Sequence, residues 1–243
     1  MQGKQTKPKI YDRFTKVWGL DIHYLVGGKG PPLILIHGAA TTAEEAWVYN
    51  LQPLAQHHRI YAPDLVGHGK SDRPKVDYTL PLFVAFFQDF VTALGLEKAS
   101  LMGHSLGGGI AMAFTLNHPD RVDKLILIDS AGIEEDIALP GKLLLPLFTA
   151  KAKLRSDETY LSMVRSKDKG PNVFRDKLPE IMAPTLILWA KWDGYLPVKQ
   201  AHEAHSLIIN STLHVFEHSW HAPQKEQPEE FNRLVLHFLS SNQ

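Results

Sequence analysis

The 243 residues carry 26 Lys and Arg against 26 Asp and Glu, with 44% hydrophobic residues, 21% charged residues and no cysteine. A chain of this length can bury one large core, and no stretch has the composition of an interdomain linker, so a single domain over 1–243 is expected. The balanced charge gives no footing for nucleic acid or an anionic membrane as partner, and the missing cysteines exclude disulfides, thiolate chemistry and Cys-ligated metals.

In chain order, Met1 to Ile10 is polar and basic without an apolar core, and no run approaches the roughly 18 apolar residues of a membrane span. A cytoplasmic protein without a membrane span is therefore expected. Two strand-like pieces follow, Tyr11–Trp18 and Asp21–Val26, turning at Gly19. Short apolar runs then recur at Leu33–Ile36, Arg59–Ala62, Ala99–Met102, Lys124–Ile128, Thr185–Trp189 and Thr212–Phe216. Near-continuous apolar strands of this length suit a sheet covered on both faces. Candidate helices lie between them at Ala43–Gln56, Thr79–Leu94, Leu106–Asn117, Val198–Leu207 and Pro228–Leu239. In the second, Phe83, Phe87, Phe90, Val91 and Leu94 recur at helical spacing behind a Thr79 cap and Pro81 in the first turn, which marks a core stripe. The alternation predicts a mostly parallel α/β sheet with an antiparallel start. Ala131 to Leu178 breaks the rhythm with an apolar piece (Leu139–Phe148) and a charged one (Lys151–Lys177). An insertion at the carboxyl end of a parallel strand falls where open α/β folds bind ligands, so it reads as a small lid.

The chemistry centres on Gly103-His104-Ser105-Leu106-Gly107, between a strand-like run and a Gly/Ala-rich helix-like one. A G-x-S-x-G at such a turn holds the serine on a sharp elbow, exposed above the sheet and before a helix N-terminus. A serine hydroxyl needs a base to take its proton, and the base needs an orienting acid. His221, past the last strand, is the candidate base, and Asp193, in the loop after Thr185–Trp189, the candidate acid. His218 and Asp129 are the rivals for these roles. The backbone N–H groups of Leu106 and Ala39 are the candidate oxyanion donors, with His37 buttressing the loop that carries Ala39. His202-x-x-His205 and His218-x-x-His221 have metal-like spacing but no completing carboxylates, so no metal is expected. Gly67-His68-Gly69-Lys70-Ser71 lacks the first glycine of a phosphate loop, where Asp64 stands.

His37-Gly38, Asp64 through Asp72, the elbow, the Asp193 loop and His221-Ala222-Pro223 through Phe231 stand in the order shown by the α/β-hydrolase superfamily, which the chain resembles nearly end to end. That resemblance implies an α/β-hydrolase fold with helices on both faces of the sheet, Ser105, Asp193 and His221 as a triad, and no cofactor. Trp220 stands where such proteins usually have Gly, and the lid is short. With Leu144 and Phe148 of the lid, Trp220 is expected to line a substrate pocket. The expected activity is hydrolysis of a small-molecule carboxylic ester of short to medium acyl chain. Two alternatives are a carbon–carbon bond hydrolase of ring-cleavage products, suggested by Asp129-Ser130-Ala131-Gly132-Ile133, and a ligand receptor that keeps the triad.

Overall fold

A computed structural model describes residues 7–134, 157–165 and 173–241, together with 143, 146, 149, 150 and 152–154. Its centre is an eight-stranded sheet of β1 (Ile10–Val17), β2 (Leu20–Gly27), β3 (Pro32–Ile36), β4 (Arg59–Pro63), β5 (Ala99–His104), β6 (Val122–Ile128), β7 (Thr185–Ala190) and β8 (Ser211–Phe216). The spatial order is β1-β2-β4-β3-β5-β6-β7-β8. β1, β2 and β4 pair antiparallel, and every pairing from β4 across to β8 is parallel. The hairpin between β1 and β2 turns on Trp18 and Gly19, both at positive φ (54° and 77°), the primed turn whose twist matches that of the strands.

The strands are apolar on both sides because helices cover both. Along β3, Leu33 and Leu35 face one core and Ile34 and Ile36 the other. The first core is closed by Trp47, Leu54, Phe231, Val235 and Phe238. The second is closed by the aromatic stripe of the Leu80–Ala93 helix, by Ile110, Met112 and Phe114, and by Ala201 and Ala204. Thr79 caps the Leu80–Ala93 helix through its side-chain oxygen, which accepts from the Leu82 N–H.

The expected helix Ala43–Gln56 is instead two short ones, Ala43–Trp47 and Leu51–Ala55. The reason is Pro53, which cannot donate to the Tyr49 carbonyl and would clash with it in a continuous helix. The chain restarts at Leu51 so that Pro53 falls in a first turn. The Tyr49 carbonyl accepts a hydrogen bond from Asn232 Nδ2 (3.0 Å) instead.

Part of the expected lid, 131–178, lies outside the described residues, as do Leu144 and Phe148. What is described includes a helix, Glu158–Arg165, and a 3₁₀ turn, Arg175–Glu180. The helix is docked rather than free. Thr159 Oγ1 donates to the Gly67 carbonyl (2.8 Å), the Tyr78 N–H donates to Ser162 Oγ (3.0 Å), and Leu161 is buried. No helix among the described residues is long and apolar enough to cross a membrane.

Candidate active site

Parallel strands place their carboxyl ends on one edge, and the connections after β3 and β5 leave adjacent strands there. β3 leads to β4 on one side, while β5 flanks it on the other, so the crevice between their loops is a topological switch point. Ser105 stands between β5 and the following helix in this crevice. Its φ of 53° and ψ of −118° lie outside the ordinary regions for a residue with a side chain, and such a conformation costs on the order of 1–3 kcal/mol. The strain is held by β6 and the turn after it: the Ser105 N–H donates to the Ile128 carbonyl (2.9 Å), and the Ser105 carbonyl accepts from the Ala131 N–H (3.0 Å). Glycines are required on either side, because a Cβ at Gly103 would lie 2.2 Å from the Gly107 carbonyl oxygen and one at Gly107 would lie 2.1 Å from that of Ile36.

Leu106 is the first residue of the helix Leu106–Asn117, so its N–H has no intrahelical acceptor and points out of the helix N-terminus. Across the crevice, the turn after β3 is shaped by His37. Its Nδ1–H donates to the Gly38 carbonyl (2.7 Å) and its Nε2 accepts from the Leu65 N–H (3.0 Å), which defines one neutral tautomer. Burial holds the His37 pKa below that of a free imidazole. Gly38 lies against the elbow, and a Cβ there would come within 3.2 Å of Ser105 Cβ. Ala39 is half-buried on the same turn, and Ala40 takes a positive φ of 54°.

Asp193 follows β7 with its side chain fully buried. Oδ1 accepts from the N–H groups of Tyr195 (2.7 Å) and Leu196 (3.0 Å), and Oδ2 pairs with His221 Nδ1 at 2.7 Å. His221 thus donates from Nδ1 and keeps Nε2 as an acceptor. Its ring lies 5.0 Å from that of His104, the residue before Ser105, and 5.0 Å from that of Tyr195. His218 is exposed, and Asp129 gives its Oδ1 to the Ala190 N–H (2.8 Å) rather than to His221.

Trp220, expected to line a substrate pocket, stands 68% exposed. Its N–H donates to Glu226 Oε2 (2.7 Å) while the carbonyl of the next residue, His221, accepts from His104 Nε2 (2.7 Å). That double anchor directs the His221 ring inward and leaves the indole in solvent. Tyr195 is the aromatic neighbour of His221 instead. Its place two residues after Asp193 was the available signal, because a loop that wraps a carboxylate with successive N–H groups brings the next side chains over it. Among the described residues, His104, Asp129 and His221 form the group whose composition could suit a metal, with ligand atoms within 4.8 Å of one another. One nitrogen of each histidine is already committed as a donor, to Asp193 or to a main-chain carbonyl.

Residues 31–166 match the family model described as alpha/beta hydrolase fold. The 2-hydroxymuconate semialdehyde hydrolase of Pseudomonas sp. (strain CF600) is 30% identical, the match covering 99% of this chain and 97% of that protein. That alignment runs over 281 positions against the 243 residues present here, so at least 38 positions of the relative (281 less 243) have no counterpart. Among solved structures, a meta-cleavage product hydrolase from Pseudomonas fluorescens IP01 superposes with a TM-score of 0.79 at 28% identity, covering 93% of this chain and 97% of the other. A bacterial membrane phospholipase A gives 0.79 at 26% identity, covering 95% and 86%.

Proposed function

The chain belongs to the alpha/beta hydrolase fold family, and from that premise we propose that it is a serine hydrolase cleaving carboxylic esters of short to medium acyl chain through an acyl-enzyme. In this reading Ser105 Oγ attacks the ester carbonyl as His221 Nε2 takes its proton. The oxyanion is received by the N–H groups of Leu106 and Ala39, the alcohol leaves with the proton from His221, and water repeats the sequence on the acyl-enzyme. Asp193 holds the imidazole tautomer and stabilises the imidazolium. The observation that most directly supports it is the 2.7 Å bond from His221 Nδ1 to Asp193 Oδ2, which leaves Nε2 as the base. The same imidazole packs 5.0 Å from the ring of His104, the residue before the strained Ser105 elbow, which supports a shared site.

The ester preference rests on the cover of the site. We attribute the missing positions to the excursion after β6, which leaves a small lid, with buried Leu161 and with Met163 packed against the core. Apolar walls gain about 0.8 kcal/mol per buried methylene until the space is filled, which favours uncharged acyl groups of limited length.

A second reading has its own support: the relative at 30% identity is a 2-hydroxymuconate semialdehyde hydrolase, and the 28% identical structure is a meta-cleavage product hydrolase. The same three residues would then cleave a carbon–carbon bond next to a ketone. Steady-state kinetics on p-nitrophenyl esters from acetate to palmitate, beside a vinylogous diketo acid, separates the two. Turnover should peak between acetate and octanoate. Efficient cleavage of the diketo acid with poor activity on every ester would replace the ester reading by the second.

A further inference from the structure

Behind Asp193 stands a second buried acid. Asp129 follows β6 at a φ of 39°, and the N–H and Oδ1 of Asp129 are both clamped to β7: the N–H donates to the Leu188 carbonyl (3.1 Å) and Oδ1 accepts from the Ala190 N–H (2.8 Å). The other oxygen, Oδ2, is buried without an N–H or O–H donor among the described residues, and the Asp193 carboxyl is among the groups that act on this acid. Two such carboxylates, both charged and both out of water, would repel strongly, and one proton between them removes the conflict. Among the described residues, Asp193 accepts from Tyr195, Leu196 and His221, while Asp129 accepts from Ala190, so the less solvated acid is Asp129. Burial first, and the charge of Asp193 second, hold the Asp129 carboxyl well above the usual carboxylate range.

We propose that Asp129 is a neutral carboxylic acid whose O–H donates to the Asp193 carboxylate, making it a positioning residue for the Asp193–His221 pair. This rests on the reading of Ser105, His221 and Asp193 as the reacting set. The clamp to Ala190 fixes the direction of the O–H, so the orientation of Asp193 is set from two sides, by the Tyr195 and Leu196 amides of its own loop and by the neighbouring strand. Among the described residues, the titratable groups facing Asp129 are Asp193 from the β7 loop, His104 from β5, and His221 and Glu226 from the segment after β8.

The test compares Asp129→Ala and Asp129→Asn on a p-nitrophenyl ester across pH. Asp129→Ala removes the donor and should lower kcat by about tenfold to a hundredfold with KM little changed. The Asn amide can accept from Ala190 and donate to Asp193 at once, so Asp129→Asn should rescue kcat and leave the acid limb of the kcat/KM profile in place. An ionised Asp129 would behave differently: its replacement by Asn removes a negative charge beside His221 and moves that limb to lower pH, which overturns the proposal. The infrared difference spectrum of the wild type against Asp129→Asn near neutral pH reads the proton directly, whether or not the Ala variant folds. Loss of a protonated-carboxyl band supports the proposal, and loss of carboxylate bands alone refutes it. Full activity in Asp193→Asn or Ser105→Ala would instead sink the reading of the reacting set, and the infrared band would still report on Asp129.

Discussion

His104 Nε2 donates a hydrogen bond to the main-chain carbonyl of His221 at 2.7 Å, tying the residue before the serine elbow to the backbone of the loop that carries the imidazole. The two residues are 117 apart in sequence, so this bond is a tertiary constraint on the distance between the β5 elbow and the loop after β8. Burial lowers the His104 pKa to about 3, so the ring stays neutral and its single N–H is committed to this contact.

His104→Ala should therefore lower kcat by about ten- to a hundredfold, because it orphans a carbonyl and releases the loop that aims His221. His104→Gln, whose amide nitrogen reaches nearly as far as Nε2, should recover most of the loss. Wild-type kcat in a folded His104→Ala protein would show that the His104 contact does not aim the loop.

Replacement of Ser105 separates chemistry from strain. Ser105→Ala and Ser105→Gly should both lose ester hydrolysis by several powers of ten. Their stabilities should rank unusually: glycine accommodates a φ of 53° and a ψ of −118° without a Cβ penalty, so Ser105→Gly should match or exceed Ser105→Ala in urea midpoint. An Ala variant clearly more stable than the Gly variant would mean that the elbow is not strained.

Acid should destabilise this protein from just below neutrality. Burial depresses the imidazoles of His68 and His104 to about 3 and lowers that of His37, against an ordinary value of 6.5. Below about pH 6.5 the unfolded chain binds protons at these sites that the native state does not, so stability is fully present above that pH and is lost as pH falls toward 3. Each histidine contributes a slope of at most about 1.4 kcal/mol per pH unit. Urea unfolding at a series of pH values should show this decline, and His68→Asn should make it shallower. A flat profile between pH 7 and 5 would contradict the prediction.

Lys124 tests a part of the fold remote from the crevice. Its Nζ donates to the carbonyls of Phe238 (2.8 Å), Leu239 (3.0 Å) and Ser241 (2.6 Å), satisfying the C-terminal end of the Pro228–Ser240 helix from the starting end of β6. Lys124→Met should cost about 1.5–3 kcal/mol of unfolding free energy, typical of charge-assisted bonds. Because Asp129 and Ser105 lie at the other end of the strands, kcat of the folded variant should be unchanged.

What depends on neighbours along the chain can be read from the residues in order. The buried strands and the covering helices follow from apolar runs and helical spacing. The Thr79 cap and the Gly19 turn follow from local backbone chemistry, and the elbow from two glycines bracketing Ser105 between a strand and a helix. Pro53 was equally local, and its clash with the Tyr49 carbonyl already forbids the continuous helix that the apolar pattern suggests. Which of Asp129 and Asp193 touches His221 is visible only in three dimensions, since both follow strands that end on the same edge. The β6–β7 pairing gives Asp129 to the Ala190 amide and leaves Asp193 for His221. Tertiary structure also turned Trp220 into solvent, put Tyr195 beside His221 and joined His104 to the His221 loop. Each of these depends on the register of parallel strands joined by long connections, and residue spacing along one chain carries no record of which hydrogen-bond partners that register supplies.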